Sequence, residues 1–118
     1  MAHKITVEVK DASGNAYATD VFVRDFPNTM NTSDTLTIPT ELKFFKNEQA
    51  LIDEYERIIP IKSSTDRTKI FNTYLEVTQE QVDDPTTQWS AVIQAKVQAF
   101  LESIWGEGNV VYVQWPPA

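Results

Sequence analysis

A long amphipathic segment near the carboxyl end constrains the fold of this chain more than any other feature. Apolar side chains recur between residues 86 and 105 with the spacing of a single helical face: Trp89, Val92, Ile93, Val97, Phe100, Leu101, Ile104 and Trp105. This spacing predicts a helix from about Thr86 to Trp105 that buries one face. Gly106 or Gly108 is placed to end it, because glycine readily adopts the left-handed conformation that follows many helices.

The amino-terminal segment shows the alternation of a strand instead. Apolar Ile5, Val7 and Val9 alternate with polar residues, which predicts a strand with one solvent-exposed face. The stretch Asp11–Asn15 then supplies turn-forming residues. A second strand follows, in which one face carries Tyr17, Thr19, Val21 and Val23. We therefore expect an amino-terminal hairpin.

The middle of the chain combines a long polar segment with a second amphipathic pattern. Residues Asp25–Thr35 lack periodicity and predict a surface loop, and a short strand is expected over Leu36–Ile38, limited by Pro39. A helix of about three turns is then predicted, with Asn47 as its N-cap and Pro60 beyond its end. Its apolar stripe comprises Leu51, Ile52, Tyr55, Ile58 and Ile59.

Two further strands are predicted on either side of the long helix. In the segment Ile70–Thr78, one face carries Phe71, Thr73, Leu75 and Val77. The segment Asn109–Trp115 has apolar side chains on both faces, which is typical of an internal strand or of an edge strand completed by another subunit. The order of elements predicts a single α+β domain, with a mainly antiparallel sheet, an amino-terminal hairpin and two amphipathic helices packed on one face.

The composition disfavours several classes of function. Seventeen acidic and ten basic side chains give a net charge of -7, which opposes binding to nucleic acid and to anionic membrane surfaces. No apolar run approaches the roughly 20 residues of a membrane-spanning helix. The chain begins without the apolar core of a signal peptide, so we expect it in the cytoplasm when synthesised. It has no cysteine, which excludes disulfides and thiolate chemistry.

Side chains that commonly perform catalysis are few. His3 is the single histidine and lies at the terminus, where we expect it to be exposed. The sequence therefore predicts neither a histidine-based catalytic triad nor a cluster of histidine metal ligands. The turn at Asp11 begins like a calcium loop, but Ala16 and Phe22 stand where that loop needs glycine and a carboxylate. We interpret it as a hairpin turn.

The adjacent carboxylates Asp83 and Asp84 are a further candidate for acid–base chemistry. They lie just before the predicted long helix, where the helix dipole favours acidic residues, and we interpret them as helix-initiating. With three glycines in the chain, no glycine-rich phosphate-binding loop can form. The sequence thus predicts a protein that is not an enzyme and holds no cofactor or metal.

One stretch of this acidic chain is basic. Arg57, Lys62, Arg67 and Lys69 lie close together in the sequence, with Asp66 among them. They would contact phosphate or an acidic patch on another subunit, or else form a solvated loop. Both interpretations stay open at this point.

The order of elements over Ile70–Trp115, with a long amphipathic helix before an apolar strand, resembles small bacteriophage virion proteins such as tail-terminator and head–tail joining subunits. The amino-terminal hairpin also resembles the coat proteins of small RNA phages, although the helix predicted at Leu51–Ile59 replaces strands that such coats need. The resemblance implies a structural subunit that assembles with itself and with other structural subunits in a virion. The first alternative is a small acidic accessory domain that binds a protein or small-molecule partner, and the second is an enzyme whose carboxylates act in a site that the sequence does not reveal.

We expect self-association through apolar surface around the carboxy-terminal strand. One layer of helices covers one side of a sheet, so the second apolar face of that strand needs another cover, and an identical chain commonly provides it. Aromatic residues dominate the centres of protein interfaces. The candidate interface residues are therefore Phe44, Phe45, Tyr112 and Trp115.

Overall fold

The computed structural model describes residues 2–18, 20–31 and 36–116. Within these ranges the strands are Ala2–Ile5 (β1), Val9–Lys10 (β2), Ala16–Tyr17 (β3), Val21–Pro27 (β4), Thr37–Phe45 (β5), Arg57–Ile58 (β6), Asn72–Glu76 (β7) and Val110–Val113 (β8). The helices are Glu48–Asp53 (α1), Gln79–Asp83 (α2) and Trp89–Trp105 (α3). The predicted α+β class with a mainly antiparallel sheet is confirmed.

Six of the strands form one antiparallel sheet in the order β6-β5-β4-β1-β8, with β7 also paired to β5. β4 occupies one edge of β5 from Thr40 to Phe45. β6 and β7 therefore share the other edge of β5, where β6 pairs with Phe44 and Phe45 and β7 pairs with residues 37–41. One end of the sheet is thus the divided edge formed by β6 and β7, and the other end is β8.

The predicted amino-terminal hairpin is present in a divided form. Its base belongs to the large sheet, where β1 pairs with β4, and its tip is a separate two-stranded ladder of β2 and β3. The chain leaves the large sheet at Thr6, whose backbone N–H and hydroxyl both donate to the carbonyl oxygen of Asn109. The continuous strand expected through Val7 is therefore wrong, and Thr19 lies outside the described residues.

Hydrophobic clusters lie on both faces of the sheet, because successive strand residues point to opposite sides. On the first face, here the α3 face, Val97 and Leu101 of the long helix pack in the larger cluster with Phe44. On the opposite face, here the α1 face, Leu51 of the short helix packs with Phe45. The expectation that both helices pack on one face is wrong, since the adjacent Phe44 and Phe45 contribute to different clusters.

α1 is shorter than the predicted three turns. Asn47 caps it as expected, with its side-chain oxygen accepting from the N–H of Ala50 at 2.8 Å. The helix ends after six residues because Glu54 adopts a left-handed conformation with φ of 53°, and the chain then pairs with β5 as β6. Tyr55 and Ile59 of the predicted stripe are consequently exposed.

β4 and β5 are both longer than predicted. β4 includes Asp25–Pro27, which the sequence pattern assigns to a polar loop, and residues 32–35 of that loop lie outside the described ranges. β5 continues through Pro39, whose carbonyl oxygen accepts from the N–H of Asn28 just beyond the end of β4. The proline nitrogen faces the same side, so its missing N–H leaves the ladder between β5 and β7 intact.

The helical part near the carboxyl end follows the sequence pattern closely. α3 begins at Trp89 rather than Thr86 and ends with Gly106 as its C-cap, as expected. An additional short helix, α2, precedes it and begins with a capping box formed by Thr78 and Gln81. None of the helices in the described ranges is long and apolar enough to cross a membrane.

Candidate functional site

The four candidate interface residues do not form one surface. Phe44 and Phe45 are 1% and 2% exposed, so both side chains belong to the cores of the chain itself. Trp115 is half-buried and packs against the cluster on the α1 face. Tyr112, on β8, is 39% exposed. Tyr112 is therefore the residue of this set that offers an aromatic surface to a partner.

β8 presents exposed side chains at one end of the sheet. Tyr112 lies on the α3 face with its ring edge-on to His3, at 5.9 Å between centroids, and Val111, 45% exposed, lies on the α1 face. The side-chain amide of Gln98 in α3 donates to the carbonyl oxygen of Val110 at 2.5 Å. This bond satisfies one backbone acceptor of a short edge strand. Val111 and Tyr112 together form what we name the β8 patch.

The opposite end of the sheet carries three exposed apolar side chains. Ile59, Phe71 and Tyr74 are 48%, 49% and 66% exposed. Ile59 and Phe71 line a groove in the gap between β6 and β7, and Phe71 and Tyr74 line a second groove of about 560 Å³. Because Phe71 belongs to both grooves, the three residues form one surface, which we name the β6–β7 patch.

A cationic aromatic cluster lies beside the larger of these two grooves. Phe26 lines the groove, and the Arg24 guanidinium and the Lys43 ammonium lie 4.9 and 4.6 Å from its ring centroid. The side chain of Arg24 also donates to the Glu54 carboxylate at 3.0 Å. Cations over an aromatic face are attracted by its electron density, so Arg24 and Lys43 are held over Phe26, while Glu54 offsets the charge of Arg24 and Glu41 lines the groove.

The basic stretch predicted from the sequence is divided in the structure. Arg57 lines the groove between β6 and β7 together with Lys43 and the acidic Glu41. Lys62 lies at the carboxyl end of α3, where it lines a small groove, and Arg67 donates to a backbone carbonyl of the β2–β3 hairpin at 3.4 Å. Arg57 is therefore the member of the stretch that lies beside the β6–β7 patch.

The surroundings of the β8 patch carry the opposite charge. From residue 97 to residue 118 the charged side chains are Glu102 and Glu107. Glu102 accepts from the N–H of Gly108 at 3.0 Å, in the turn that leads into β8. Lys4 lies opposite Val111 on β1, and its ammonium is 3.9 Å from the carboxylate of Asp20, which offsets its charge.

The structure buries the histidine that the sequence analysis expects to be exposed. His3 is 0% exposed, and neither ring nitrogen has a hydrogen-bond partner in the part of the chain that the structure describes. Burial lowers the pKa of His3 from 6.5 to about 4, so the imidazole is neutral at pH 7. The alternation of the first strand places His3 in phase with the buried Ile5, which is the sequence signal that could have revealed this.

Asp25 is a second buried titratable group on the α3 face. It lies two residues beyond Val23, the β4 partner of His3, and one of its carboxyl oxygens is buried without a partner among the described residues. Burial raises the pKa of this carboxyl. Neither Asp25 nor His3 lines either of the two grooves that meet at Phe71.

The carboxylate of Asp11 closes the tip of the divided hairpin. One oxygen accepts from the N–H groups of Ser13 and Asn15, and the other accepts from the Tyr17 hydroxyl at 3.0 Å. Burial opposes ionisation, but these hydrogen bonds prevail and lower the pKa of Asp11. The hairpin-turn interpretation is confirmed. No group of three or more metal-ligating side chains occurs within residues 2–18, 20–31 and 36–116.

Asp83 and Asp84 end α2 and do not initiate α3. Asp83 accepts from the Gln79 side chain at 2.8 Å, and Asp84 is the C-cap of α2. Hydrogen bonds from the hydroxyl and N–H of Thr86 lower the pKa of Asp84. The helix-initiating interpretation is therefore wrong, because the pair belongs to a separate helix that the sequence analysis does not predict.

Sequence reasoning missed the β6–β7 patch. Alternation assigns Phe71 to the buried face with Leu75, but β7 begins only at Asn72, after a bend that exposes Phe71. Ile59 is assigned to a helix that does not reach it. Tyr74 gave the one available signal, since an aromatic residue there falls on the polar face of the predicted strand.

Comparisons of the chain with protein-family models, with curated proteins and with solved structures gave no match. The functional conclusion therefore rests on the two patches and on the placement of the titratable groups.

Proposed function

We propose that this protein is a non-enzymatic structural subunit that associates with copies of itself, of the kind from which bacteriophage virions are built. The observation that carries the proposal is the exposure of large apolar side chains at both ends of one sheet. The five residues of the β8 and β6–β7 patches are between 39% and 66% exposed. Contact with another protein would remove this apolar surface from water, which is favourable.

The position of the titratable groups supports a role without catalysis. A general acid or base has to come within hydrogen-bond reach of a substrate. His3 and Asp25 are enclosed in the core, and the carboxylates of Asp11 and Asp84 accept hydrogen bonds from their own turns. These groups therefore serve the fold in the arrangement observed.

The virion setting is supported by the order of elements over Ile70–Trp115, which resembles tail-terminator and head–tail joining subunits. In that order the apolar strand after the long helix is β8, and β8 lies at an end of the sheet. An edge position suits a subunit whose last strand faces a neighbour in a repeating assembly.

Sedimentation velocity over about 1 to 100 μM tests self-association, because contacts stronger than about -5.5 kcal/mol are detected in that range. We expect the wild type to sediment as an assembly. Replacing Tyr112 with serine should raise the dissociation constant by about thirtyfold or more, since an aromatic anchor contributes about 2 kcal/mol or more. The matched control is Tyr55→Ser, which removes a 69% exposed tyrosine from outside both patches and should leave sedimentation unchanged.

A wild type that stays monomeric throughout this range would contradict the proposal. The second candidate, a small accessory domain that binds a protein or small-molecule partner, would then be favoured by the groove of about 560 Å³ beside Phe26 and Tyr74. Its volume falls within the roughly 300 to 1,000 Å³ of small-molecule sites. Native mass spectrometry would separate the two candidates, because an accessory domain remains a monomer.

A further inference from the structure

We infer that copies of this chain associate head to tail, with the β8 patch of one copy seated against the β6–β7 patch of the next. The inference rests on the proposed function and names the partner of each patch. It also predicts the symmetry class of the assembly, which self-association alone does not.

The first argument is the position of the two patches. They lie at opposite ends of one sheet, with β5, β4 and β1 between the terminal strands β6 and β8. A two-fold contact in which one patch meets its own copy would cover that patch and leave the other exposed. A head-to-tail contact covers both with a single type of interface, and repetition of that contact produces a ring or a helical array.

The second argument is the charge beside each patch. Arg57 and Lys43 line the groove that holds part of the β6–β7 patch, against the single acidic residue Glu41 in that lining. Glu102 and Glu107 lie in the segment that turns into β8, which contains no basic residue. Pairing β8 with β8 would bring acidic groups together, whereas pairing β8 with the β6–β7 patch brings acidic groups to basic ones.

The third argument is shape. The β6–β7 patch offers two grooves that meet at Phe71, and the β8 patch offers two side chains that project from opposite faces of a short edge strand. Side chains projecting into a groove are the arrangement in which aromatic anchors contribute most to binding.

The experiment uses one charge insertion in each patch. Val111→Lys places a cation that would face the basic edge of the next copy, and Phe71→Glu places an anion that would face the acidic turn before β8. The two positions are 45% and 49% exposed and belong to neither core cluster, so both variants should fold. Each variant alone should sediment as a monomer at concentrations where the wild type assembles.

The decisive measurement is an equimolar mixture of the two variants. The unaltered β8 patch of the Phe71→Glu variant then meets the unaltered β6–β7 patch of the Val111→Lys variant, and we expect association to return. Ile52→Lys, at a 48% exposed position on α1, is the matched control and should assemble like the wild type. Circular dichroism of each variant verifies that the fold is retained.

Several outcomes would overturn the head-to-tail arrangement while leaving the proposed function in place. If the wild type assembles and only one variant is defective, that patch pairs with its own copy. If neither variant is defective, another surface forms the contact, and if both are defective without recovery in the mixture, the patches do not meet each other. A monomeric wild type, in contrast, would remove the proposed function itself.

Discussion

The two faces of the central sheet are built from alternate residues of the same strands, yet they are covered to different degrees. On the α3 face a helix of 17 residues packs over a cluster that extends from β8 to β7. On the α1 face a helix of six residues covers a smaller cluster around Phe22 and Phe45. The rest of that face, around Phe26 and Tyr74, is an open groove.

The difference shows that helix length and the polarity of the strand residues together decide how much of a sheet face becomes core. The open part of the α1 face carries Arg24, Glu41 and Lys43, where the α3 face carries the buried Val23, Leu42 and Phe44. α1 ends before it reaches this part of the face, at the left-handed conformation of Glu54. The apolar surface that α1 leaves uncovered is available to a second copy of the chain.

The largest expected effect comes from the adjacent phenylalanines that point to the two faces. Phe44→Ala should lower the free energy of unfolding by about 3 to 5 kcal/mol, the usual cost of removing a buried phenylalanine. Phe44 is enclosed beneath α3 and contacts the ring of Trp105 at 5.9 Å between centroids. Phe45→Ala should cost less, because a helix of six residues can shift to fill the space left behind. Urea denaturation of both variants measures the comparison.

An equal or larger loss for Phe45→Ala would mean that the α1 face is packed as rigidly as the α3 face. Helix length would then not explain the open groove.

The next prediction concerns the buried histidine of the α3 face. The pKa of His3 is about 4 in the folded chain, whereas an exposed histidine has its ordinary pKa of 6.5 in the unfolded chain. Between these values the unfolded chain binds more protons, so the free energy of unfolding rises with pH through this window. The stabilisation is complete above pH 6.5 and is lost as the pH falls toward 4. The shift corresponds to at most about 3 kcal/mol.

Denaturation of the wild type and of His3→Phe at several pH values measures this contribution. Asp25 acts in the opposite direction, because its raised pKa makes stability fall as the pH rises above 3.8. The comparison should therefore be made between Asp25→Asn and the double variant Asp25→Asn with His3→Phe. If the free energy of unfolding changed with pH in the same way with and without His3, the prediction would be wrong, because His3 would then become protonated without unfolding the α3 face.

The α3 face was also the part of the fold that the sequence predicted best. A stripe with a period of 3.6 marks α3, and Gly106 marks its end, because both signals are local. The α1 face depends on tertiary contacts, since Ile58 satisfies the periodicity of a helix but pairs with Phe44 of β5 instead. The candidate site follows the same division. Tyr112 was predicted, whereas Ile59 and Phe71 are exposed by a chain path that no local pattern encodes.

A smaller effect should follow from removing the cap of the short helix. Asn47→Ala deletes the acceptor for the Ala50 N–H and should lower the free energy of unfolding by about 0.5 to 2 kcal/mol. Asn47→Asp retains an acceptor and is the matched control. Hydrogen exchange should show the loss of protection in α1 and not in α3, and a uniform loss over both helices would contradict the separate covering of the two faces.

The smallest expected effect lies on the open part of the α1 face. Tyr74 and Leu75 are neighbours on β7 that point to opposite faces and are 66% and 4% exposed. At the lowest measurable protein concentration, Tyr74→Ser should change the free energy of unfolding by no more than about 0.5 kcal/mol, as is usual for exposed positions. Leu75→Ala should cost about 2 to 5 kcal/mol, because it empties a space in the core.

At higher concentration the wild type should gain stability through assembly, and Tyr74→Ser should gain less, since association stabilises the folded state by mass action. A large loss for Tyr74→Ser in the dilute monomer would mean that the tyrosine serves the fold, and the β6–β7 patch would then lose its most exposed member as a binding residue.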